Sequence, residues 1–281
     1  MPVAVVTDST AYLPADLTDA HDLTVVPLTV VLNGDEGLEG VQIFPDEVAR
    51  ALGARRVAVS TSRPSPAQFA DAYRGLLDAG ADGIVSVHLS AKLSGTFEAA
   101  CLAAAEVGTM VQVVDSKTTG MGLGFAALAA GAAARHGASL DLVRQAAVDH
   151  AARVSTLFYV DTLEFLRRGG RIGAASALLG TALSVKPILH VQDGAIVVRD
   201  KVRTAGRALA KLVDLAVDAS GDGEVDLAVH HLGAPDRAGA LADAIAMRLG
   251  ERLHDSYICE IGAVVAAHVG PGVAGVVVHR R

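Results

Sequence analysis

Short runs rich in Val and Ile alternate with Ala-rich segments of helical periodicity along the first half of the chain. The predicted strands are Val3–Thr7, Ile84–Leu89 and Val111–Asp115, and the predicted helices lie near Pro66–Gly80, Gly95–Val107 and Gly120–Arg135. Continuous apolar strands joined by helices are typical of a parallel sheet that is buried on both faces. We therefore predict an α/β fold with a parallel-sheet, Rossmann-like N-terminal domain.

The pattern changes in the second half, where hairpin signals interrupt the alternation. Asp193-Gly194 separates Pro187–Val191 from Ala195–Arg199, and Asn33-Gly34 closes a similar apolar run at Val25–Leu32. Such dipeptides favour the tight turns of antiparallel strands. Further strands are predicted at Val57–Val59, Leu157–Val160 and Val225–His231, and helices near Asp161–Arg168, Ala174–Ala182, Val202–Asp218 and Pro235–Gly250. We predict a mixed-sheet α/β C-terminal domain, residues 156–281, after a first domain of residues 1–155.

The segment Ile261–Val278 contains no acidic or basic residue other than His268 and is long enough to span a bilayer. His268 and Gly270-Pro271-Gly272 interrupt it, so we predict two short buried strands around a turn and no transmembrane segment. The N-terminus begins directly with a strand and lacks the basic region of a signal peptide. A cytoplasmic location is expected.

Composition excludes several classes of protein. The chain has 281 residues, of which 51% are hydrophobic, so it can fold around a full core. Its formal charge of −7 and its lack of a long basic run argue against nucleic acid as a partner. Cys101 and Cys259 do not have metal-ligand spacing, which suits a reducing compartment and predicts no metal.

Hydroxyl-bearing residues cluster where the predicted strands end. The clusters are Asp8-Ser9-Thr10, Thr61-Ser62, Ser90 with Ser94-Gly95-Thr96, and Ser116-Lys117-Thr118-Thr119. Parallel sheets bind ligands at this edge, and hydroxyls beside helix N-termini suit an anionic oxygen. Helix capping explains any single cluster, and Ser65 in the capping box Ser65-Pro66-Ala67-Gln68 is the clearest example. Four clusters together favour an anion site.

Familiar catalytic and nucleotide motifs are missing from the sequence. There is no P-loop, HExxH or GxSxG, and Gly120–Gly124 departs from a dinucleotide fingerprint because Phe125 takes the place of the third glycine. Ser94 with His268 remains a hydrolase hypothesis, in which Asp115 or Asp8 supplies the orienting carboxylate. A structural interaction protein without a ligand is a third alternative.

Two residues of the second half are candidates for an anion site. The predicted helix Leu163–Arg168 ends at Gly169-Gly170, so Arg171 projects from a loop beyond a glycine cap. An arginine there can bind phosphate or carboxylate, although a solvated surface arginine fits the same pattern. His268 lies in an apolar run, where a core role is the alternative.

Seven segments in order resemble the DegV family of bacterial fatty-acid-binding proteins, whose members act as the lipid-carrier subunit of fatty acid kinase. The segments are Val6–Thr10, Thr61–Pro66, Leu89–Phe97, Asp115–Lys117 with Met121–Gly124, Leu166–Ile172, Lys186–Leu189 and His268–Gly272. The resemblance spans nearly the whole chain. It implies a two-domain protein with one acyl chain buried between the domains and its carboxylate held by hydroxyls.

Matched position by position, the resemblance assigns a head-group site. Thr61 and Ser94 correspond to the carboxylate-binding hydroxyls, with Ser62 and the amide of Gly95 as neighbours. His268 would complete the hydrogen-bond network. The only small molecule that the resemblance implies is the fatty acid itself, with no cofactor.

The resemblance also implies partners. Arg171 corresponds to the arginine needed when an ATP-using kinase subunit phosphorylates the carboxylate, and Arg203 to a contact with that subunit. The carrier would be non-catalytic alone and would deliver acyl phosphate to an acyltransferase of phospholipid synthesis, which leaves room for transient membrane contact. Arg63 departs from the family, which usually has a smaller polar residue there, and adds a charge near the predicted head group.

Overall fold

The computed structural model describes residues 2–54, 58–178 and 185–281. The strands are β1 (Val3–Asp8), β2 (Leu23–Val26), β3 (Thr29–Leu32), β4 (Asp35–Leu38), β5 (Val59–Ser62), β6 (Gly83–His88), β7 (Val111–Asp115), β8 (Val154–Tyr159), β9 (Lys186–Gln192), β10 (Ala195–Val202), β11 (Val225–His231), β12 (Leu253–Glu260) and β13 (Ala274–Arg280). The helices are α1 (Ala15–Ala20), α2 (Pro45–Gly53), α3 (Pro66–Asp78), α4 (Thr96–Val107), α5 (Met121–Arg135), α6 (Leu140–Ala152), α7 (Glu164–Arg168), α8 (Ala205–Ser220), α9 (Pro235–Leu249) and α10 (Ala263–Val269).

The chain divides into two compact units. The first unit consists of Met1–Thr29 and Ser62–Ala152, and the second of Val30–Thr61 and Arg153–Arg281. The single boundary after residue 155 that the sequence suggests stays a prediction. The structure adds that the segment 30–61, which contains β4, α2 and most of β3 and β5, belongs with the C-terminal half of the chain.

The first unit is built around a parallel sheet with the strand order β2-β1-β6-β7. Helices α5 and α6 cover one face, where Leu123 and Val143 pack against the sheet. Helices α3 and α4 cover the other face, where Phe69 and Tyr73 are fully buried. A sheet with helices on both faces confirms the α/β prediction for this half, and it explains why the strands carry continuous apolar runs.

The second unit contains a mixed sheet with the order β10-β9-β8-β13-β11-β12, in which only β11 and β12 are parallel. Helices α8 and α9 pack on this sheet through an aliphatic cluster that includes Leu212, Leu241 and Ile245. Asp193 and Gly194 have φ of 48° and 82°, as the tight turn between β9 and β10 requires. The predicted mixed sheet and its hairpin are confirmed.

Of the two strands predicted within Ile261–Val278, the structure contains one. Residues Ala263–Val269 form helix α10 instead of a strand, and only Ala274–Arg280 is extended. A short apolar run without periodicity is compatible with either structure, so packing decides. His268 therefore lies in the last turn of a helix, not on a strand. Within the described ranges, every helix falls short of the length and hydrophobicity that crossing a membrane requires.

The run Val25–Leu32 is also not one strand. It breaks after β2, and Asn33 and Gly34, with φ of 56° and 99°, turn the chain from β3 into β4. Thr61 and Ser62 lie within β5, whereas the sequence suggests that they follow a strand ending at Val59. The predicted helix near Ala174–Ala182 is a 3-10 helix at Gly173–Leu178, and its remainder lies outside the described residues, as does Val57 of the predicted strand Val57–Val59.

Candidate functional site

Thr61 and His268 meet in the second unit although 207 positions separate them in sequence. Thr61 lies on β5, and its Oγ1 is 2.8 Å from Nε2 of His268 in the last turn of α10. The N-terminus of α10 is held by Glu39, whose Oε1 accepts a hydrogen bond of 2.7 Å from the amide of Val264. The segment 30–61 therefore supplies both the hydroxyl and an anchor for the helix that carries the histidine.

His268 is neutral at physiological pH. Burial, and to a smaller extent the charge of Arg171, lower the pKa of His268 from its usual 6.5 to about 4. A neutral imidazole carries one proton, which sits on either Nε2 or Nδ1.

The surroundings of the ring decide where that proton sits. Nδ1 of His268 is buried and has no hydrogen-bond partner among the described residues. A buried N–H without an acceptor is costly, so we place the proton on Nε2, from which it is donated to Thr61 Oγ1. The hydroxyl proton of Thr61 then points away from the ring and is available to an anionic ligand.

Two glycines allow α7 and α10 to approach each other around this histidine. A Cβ on Gly169 would overlap Nδ1 of His268, and a Cβ on Gly270 would overlap the ring of Phe165. Gly270 also has a φ of 73°, which favours glycine. The glycines of both motifs thus serve the packing that places the imidazole.

The change Gly169→Ala tests this packing. We expect the added methyl group to displace the His268 ring, because backbone φ at residue 169 is −73° and only the ring contact opposes alanine. The measurement is the NMR signal of the His268 ring together with the thermal midpoint. Gly206→Ala is the matched control, since a Cβ there meets open space within α8. An unmoved ring in Gly169→Ala would contradict the packing argument.

Arg171 lies directly after the glycine end of α7, as predicted. Gly170 has a φ of 73°, and the amide of Arg171 donates to Leu166 O at 2.9 Å, which is the hydrogen bond of a Schellman motif. The side chain is half-buried, and its Nη1 donates to Gly169 O. Arg171 is thus not a freely solvated arginine, and its charge acts on His268.

Ser94 and Gly95 lie in the first unit, at the start of α4. Ser94 Oγ accepts from the amide of Thr96 at 3.3 Å and is 2.9 Å from the buried hydroxyl of Thr96. Gly95 is the N-cap residue of α4, and Ser94 before it accepts from the first amide of the helix. The half-buried hydroxyl of Ser94 keeps further hydrogen-bonding capacity.

Arg63 is held within the first unit. Its Nη1 donates to Gly95 O at 3.2 Å and to Glu98 Oε2 at 2.7 Å. The additional charge that departs from the family pattern is therefore paired with a carboxylate. Ser62 is exposed at the end of β5, and Arg203 is exposed between β10 and α8.

A buried polar network in the first unit was not predicted. Asp8 Oδ2 is 3.0 Å from both the amide of Leu89 and Nδ1 of His88, and Nε2 of His88 is 2.7 Å from Ser86 Oγ. Tyr73 donates to the same serine at 2.8 Å. The only sequence signal is a histidine inside an apolar strand. All four side chains are fully buried, so the network organises the core behind the strand ends.

The carboxylates of the hydrolase hypothesis are engaged elsewhere. Asp8 binds the network just described, and Asp115 Oδ1 accepts from the amides of Lys117 and Ala91. An orienting carboxylate would bind Nδ1 of His268, which has no such partner in the described part of the chain. Among the described residues, no carboxylate is therefore bonded to the His268 ring as a Ser-His-Asp triad requires.

One group of side chains has the chemistry of a metal site. Ligand atoms of Asp226, His254 and Asp255 lie within 4.8 Å of one another. Arg281 Nη1 is 3.2 Å from Asp226 Oδ1 and also contacts His254, so a guanidinium already neutralises the group. We interpret it as an ion-pair cluster at the edge of the mixed sheet.

Comparison with known proteins places the chain in a family. A family model described as "Uncharacterised protein, DegV family" matches residues 2–281. The chain belongs to the DegV family. A DegV domain-containing protein of Streptomyces coelicolor is 55% identical to this DegV protein over 280 residues, which is 99% of each chain. The resemblance that the seven motifs indicate is confirmed.

Solved structures agree with the fold of this DegV protein. A DegV family protein from Thermus thermophilus, described with its fatty acid binding, has a TM-score of 0.94 at 35% identity over 100% of both chains. DegV of Bacillus subtilis, described as a fatty acid binding protein, has a TM-score of 0.90 at 29% identity, again over 100% of both chains. The two-domain α/β fold is therefore that of the family.

Proposed function

We propose that this DegV protein binds one long-chain fatty acid and that Thr61, oriented by His268, donates a hydrogen bond to its carboxylate. The pair of Thr61 and neutral His268 is the observation that carries the proposal. It offers a hydroxyl donor whose oxygen is already satisfied by the ring. The fatty acid binding described for the Thermus thermophilus and Bacillus subtilis relatives supports the choice of ligand.

The expected free energy of binding favours tight retention of a long-chain fatty acid by the protein. A carboxylate withdrawn from water costs several kcal/mol unless donors replace its hydration, and Thr61 supplies one of them. Ser94, Ser62 and the Gly95 amide remain proposed donors from the first unit. Burial of the tail contributes roughly 0.8 kcal/mol per methylene, or about 11 kcal/mol gross for about 14 of them.

The proposed role is that of a cytoplasmic carrier for a kinase. The protein would present the bound carboxylate to an ATP-using fatty acid kinase subunit and then deliver the acyl phosphate to an acyltransferase of phospholipid synthesis. Arg171 would bind the transferring phosphoryl oxygens, and exposed Arg203 would contact the kinase subunit. The family motifs at these positions support this assignment, and Arg171 already influences the imidazole that orients Thr61.

Extraction of the purified protein tests the proposed ligand. We expect denaturation in organic solvent to release one long-chain fatty acid per chain, identified by mass spectrometry. Protein stripped of lipid should take up added palmitate or oleate to the same stoichiometry. Absence of an acyl chain in both experiments would overturn the proposal, and labelling of Ser94 by a fluorophosphonate would favour the hydrolase instead.

Acid should destabilise the protein in a defined range of pH. The pKa of His268 and that of the buried His230 are both lowered from 6.5 to about 4 in the folded state. The unfolded chain therefore binds more protons between these values, and the free energy of unfolding should fall as pH drops from about 6.5 towards 4. Urea titrations across this range measure it. His268→Gln should remove part of the slope, whereas a slope equal to that of the unaltered protein would contradict the assignment.

A further inference from the structure

A cavity of about 220 Å³ opens in the second unit where β8 and β9 separate. The described pairing of these strands covers Leu157–Tyr159, whereas β9 and β10 remain paired as far as Gln192. The hairpin therefore turns away from β8 beyond Leu157. The last turns of α8 cover the opening with Leu215, Asp218 and Ala219. The cavity thus lies beside the first residues of β8, whereas the segment that leads to α7 and Arg171 follows the last residue of β8.

A β-bulge places the positively charged Arg199 at this cavity. In β10, Val198 pairs with Leu189 and Asp200 pairs with Ile188, so Arg199 is the additional residue of the bulge. Bulges re-aim side chains and recur beside binding sites. Arg199 lines the cavity together with His190, and its charge adds to burial in lowering the pKa of that histidine. The neighbouring Asp200 is paired with Lys211 at 3.3 Å and does not neutralise Arg199.

Helix α8 brings a negative charge to the same cavity. Asp218 lines the cavity from α8, and neither Asp218 nor Arg199 has a side-chain ion pair or hydrogen bond with any residue that the structure describes. The C-terminal end of α8 already has a cationic partner, because Arg252 donates hydrogen bonds to Ser220 Oγ and Gly221 O. The cavity thus has one free positive side chain and one free negative side chain that are not joined to each other.

Separated opposite charges on one cavity complement a molecule that carries both charges. We propose that this cleft binds a small α-amino acid, with its carboxylate at Arg199 and its ammonium group at Asp218. The hydroxyl of Ser155 and the apolar residues Val154 and Leu157 also line the cavity, and the apolar residues suit a short side chain. The volume is below the roughly 300–1,000 Å³ of pockets for drug-sized ligands, so the occupant is small. The inference is independent of fatty acid binding.

NMR titration of the full-length, isotopically labelled protein tests the proposal with three matched probes. Alanine carries both charges, propionate only the carboxylate, and ethylamine only the ammonium group. With alanine, we expect saturable chemical-shift changes at the amides of Ser155, Val191 and Ala219. Propionate and ethylamine should bind at least about tenfold more weakly than alanine, because each loses one charge-assisted contact.

Variants test whether Arg199 and Asp218 each contribute to alanine binding. Arg199→Gln and Asp218→Asn should each weaken alanine binding about tenfold, and Arg207→Gln, an exposed arginine on α8 outside the cavity, should leave it unchanged. Equal binding of propionate with tighter binding in Asp218→Asn would overturn the proposal in favour of an anion site. Preference for ethylamine would indicate a cation site, and linear shifts without saturation would indicate a cleft that holds only solvent. If a variant misfolds, the comparison of the three probes on the unaltered protein still distinguishes an amino-acid site from an anion site or a cation site.

Discussion

Thr61→Val should lower the affinity for a long-chain fatty acid about ten- to hundredfold. The change keeps the shape of the side chain but removes the hydroxyl, and a charge-assisted hydrogen bond to a carboxylate is worth about 1.5–3 kcal/mol. The variant also leaves Nε2 of His268 without its partner at 2.8 Å, which adds to the loss. Affinity is measured by displacement of a fluorescent fatty acid from delipidated protein.

Two controls separate this effect from general destabilisation. Thr24→Val makes the same change in strand β2, where the half-buried hydroxyl has no assigned role. Ser65→Ala removes the capping box of α3 and should cost about 1 kcal/mol of stability while leaving affinity unchanged. Ser94→Ala tests the predicted donor of the first unit separately. Unaltered affinity in a folded Thr61→Val variant would move the head-group site elsewhere.

Arg171→Ala should leave fatty acid binding largely intact and abolish most acyl-phosphate formation with a cognate kinase subunit. A guanidinium that stabilises the transferring phosphoryl group contributes to turnover, whereas one that holds the ground-state carboxylate also contributes to retention. Fatty acid affinity and acyl-phosphate formation are therefore measured on the same variant. Arg167→Ala is the control, because Arg167 is exposed and paired with Glu164 at 2.7 Å in the same helix.

A third readout does not depend on the kinase. Arg171 helps to lower the pKa of His268, so the pKa of this histidine should rise above about 4 in Arg171→Ala, as followed by NMR. Parallel loss of lipid binding and phosphorylation would reassign Arg171 to the carboxylate. Normal acyl-phosphate formation would show that the residue has no part in transfer.

The sequence predicts the first unit better than the second for a physical reason. Strands such as β6 are buried on both faces, so their apolar runs stand out between helices. Strand β12 escapes prediction because it lies at a sheet edge, where the consecutive residues His254, Asp255 and Ser256 are all exposed and give no apolar run. Helix α10 escapes because a buried helix and a buried strand are both apolar at this length.

The candidate site shows the same limit. The glycine end of α7 and the loop position of Arg171 follow from local sequence, since Gly169-Gly170 stops the helix. The hydrogen bond between Thr61 and His268 joins residues far apart in sequence, and no spacing rule predicts it. Only the family resemblance places these two residues in one network, and only the structure shows the orienting role of the imidazole.

The segment 30–61 has a consequence for folding during synthesis. Helix α10 depends on Glu39, yet it is made more than two hundred residues later, so the second unit stays incomplete until the ribosome has nearly finished the chain. The first unit, by contrast, has all its strands once Asp115 has emerged. Contacts of such long sequence separation slow folding and prolong exposure of apolar surface. A fragment that starts at residue 156 would lack Thr61, β3 and α2, and cutting the gene at one point would not yield the second unit.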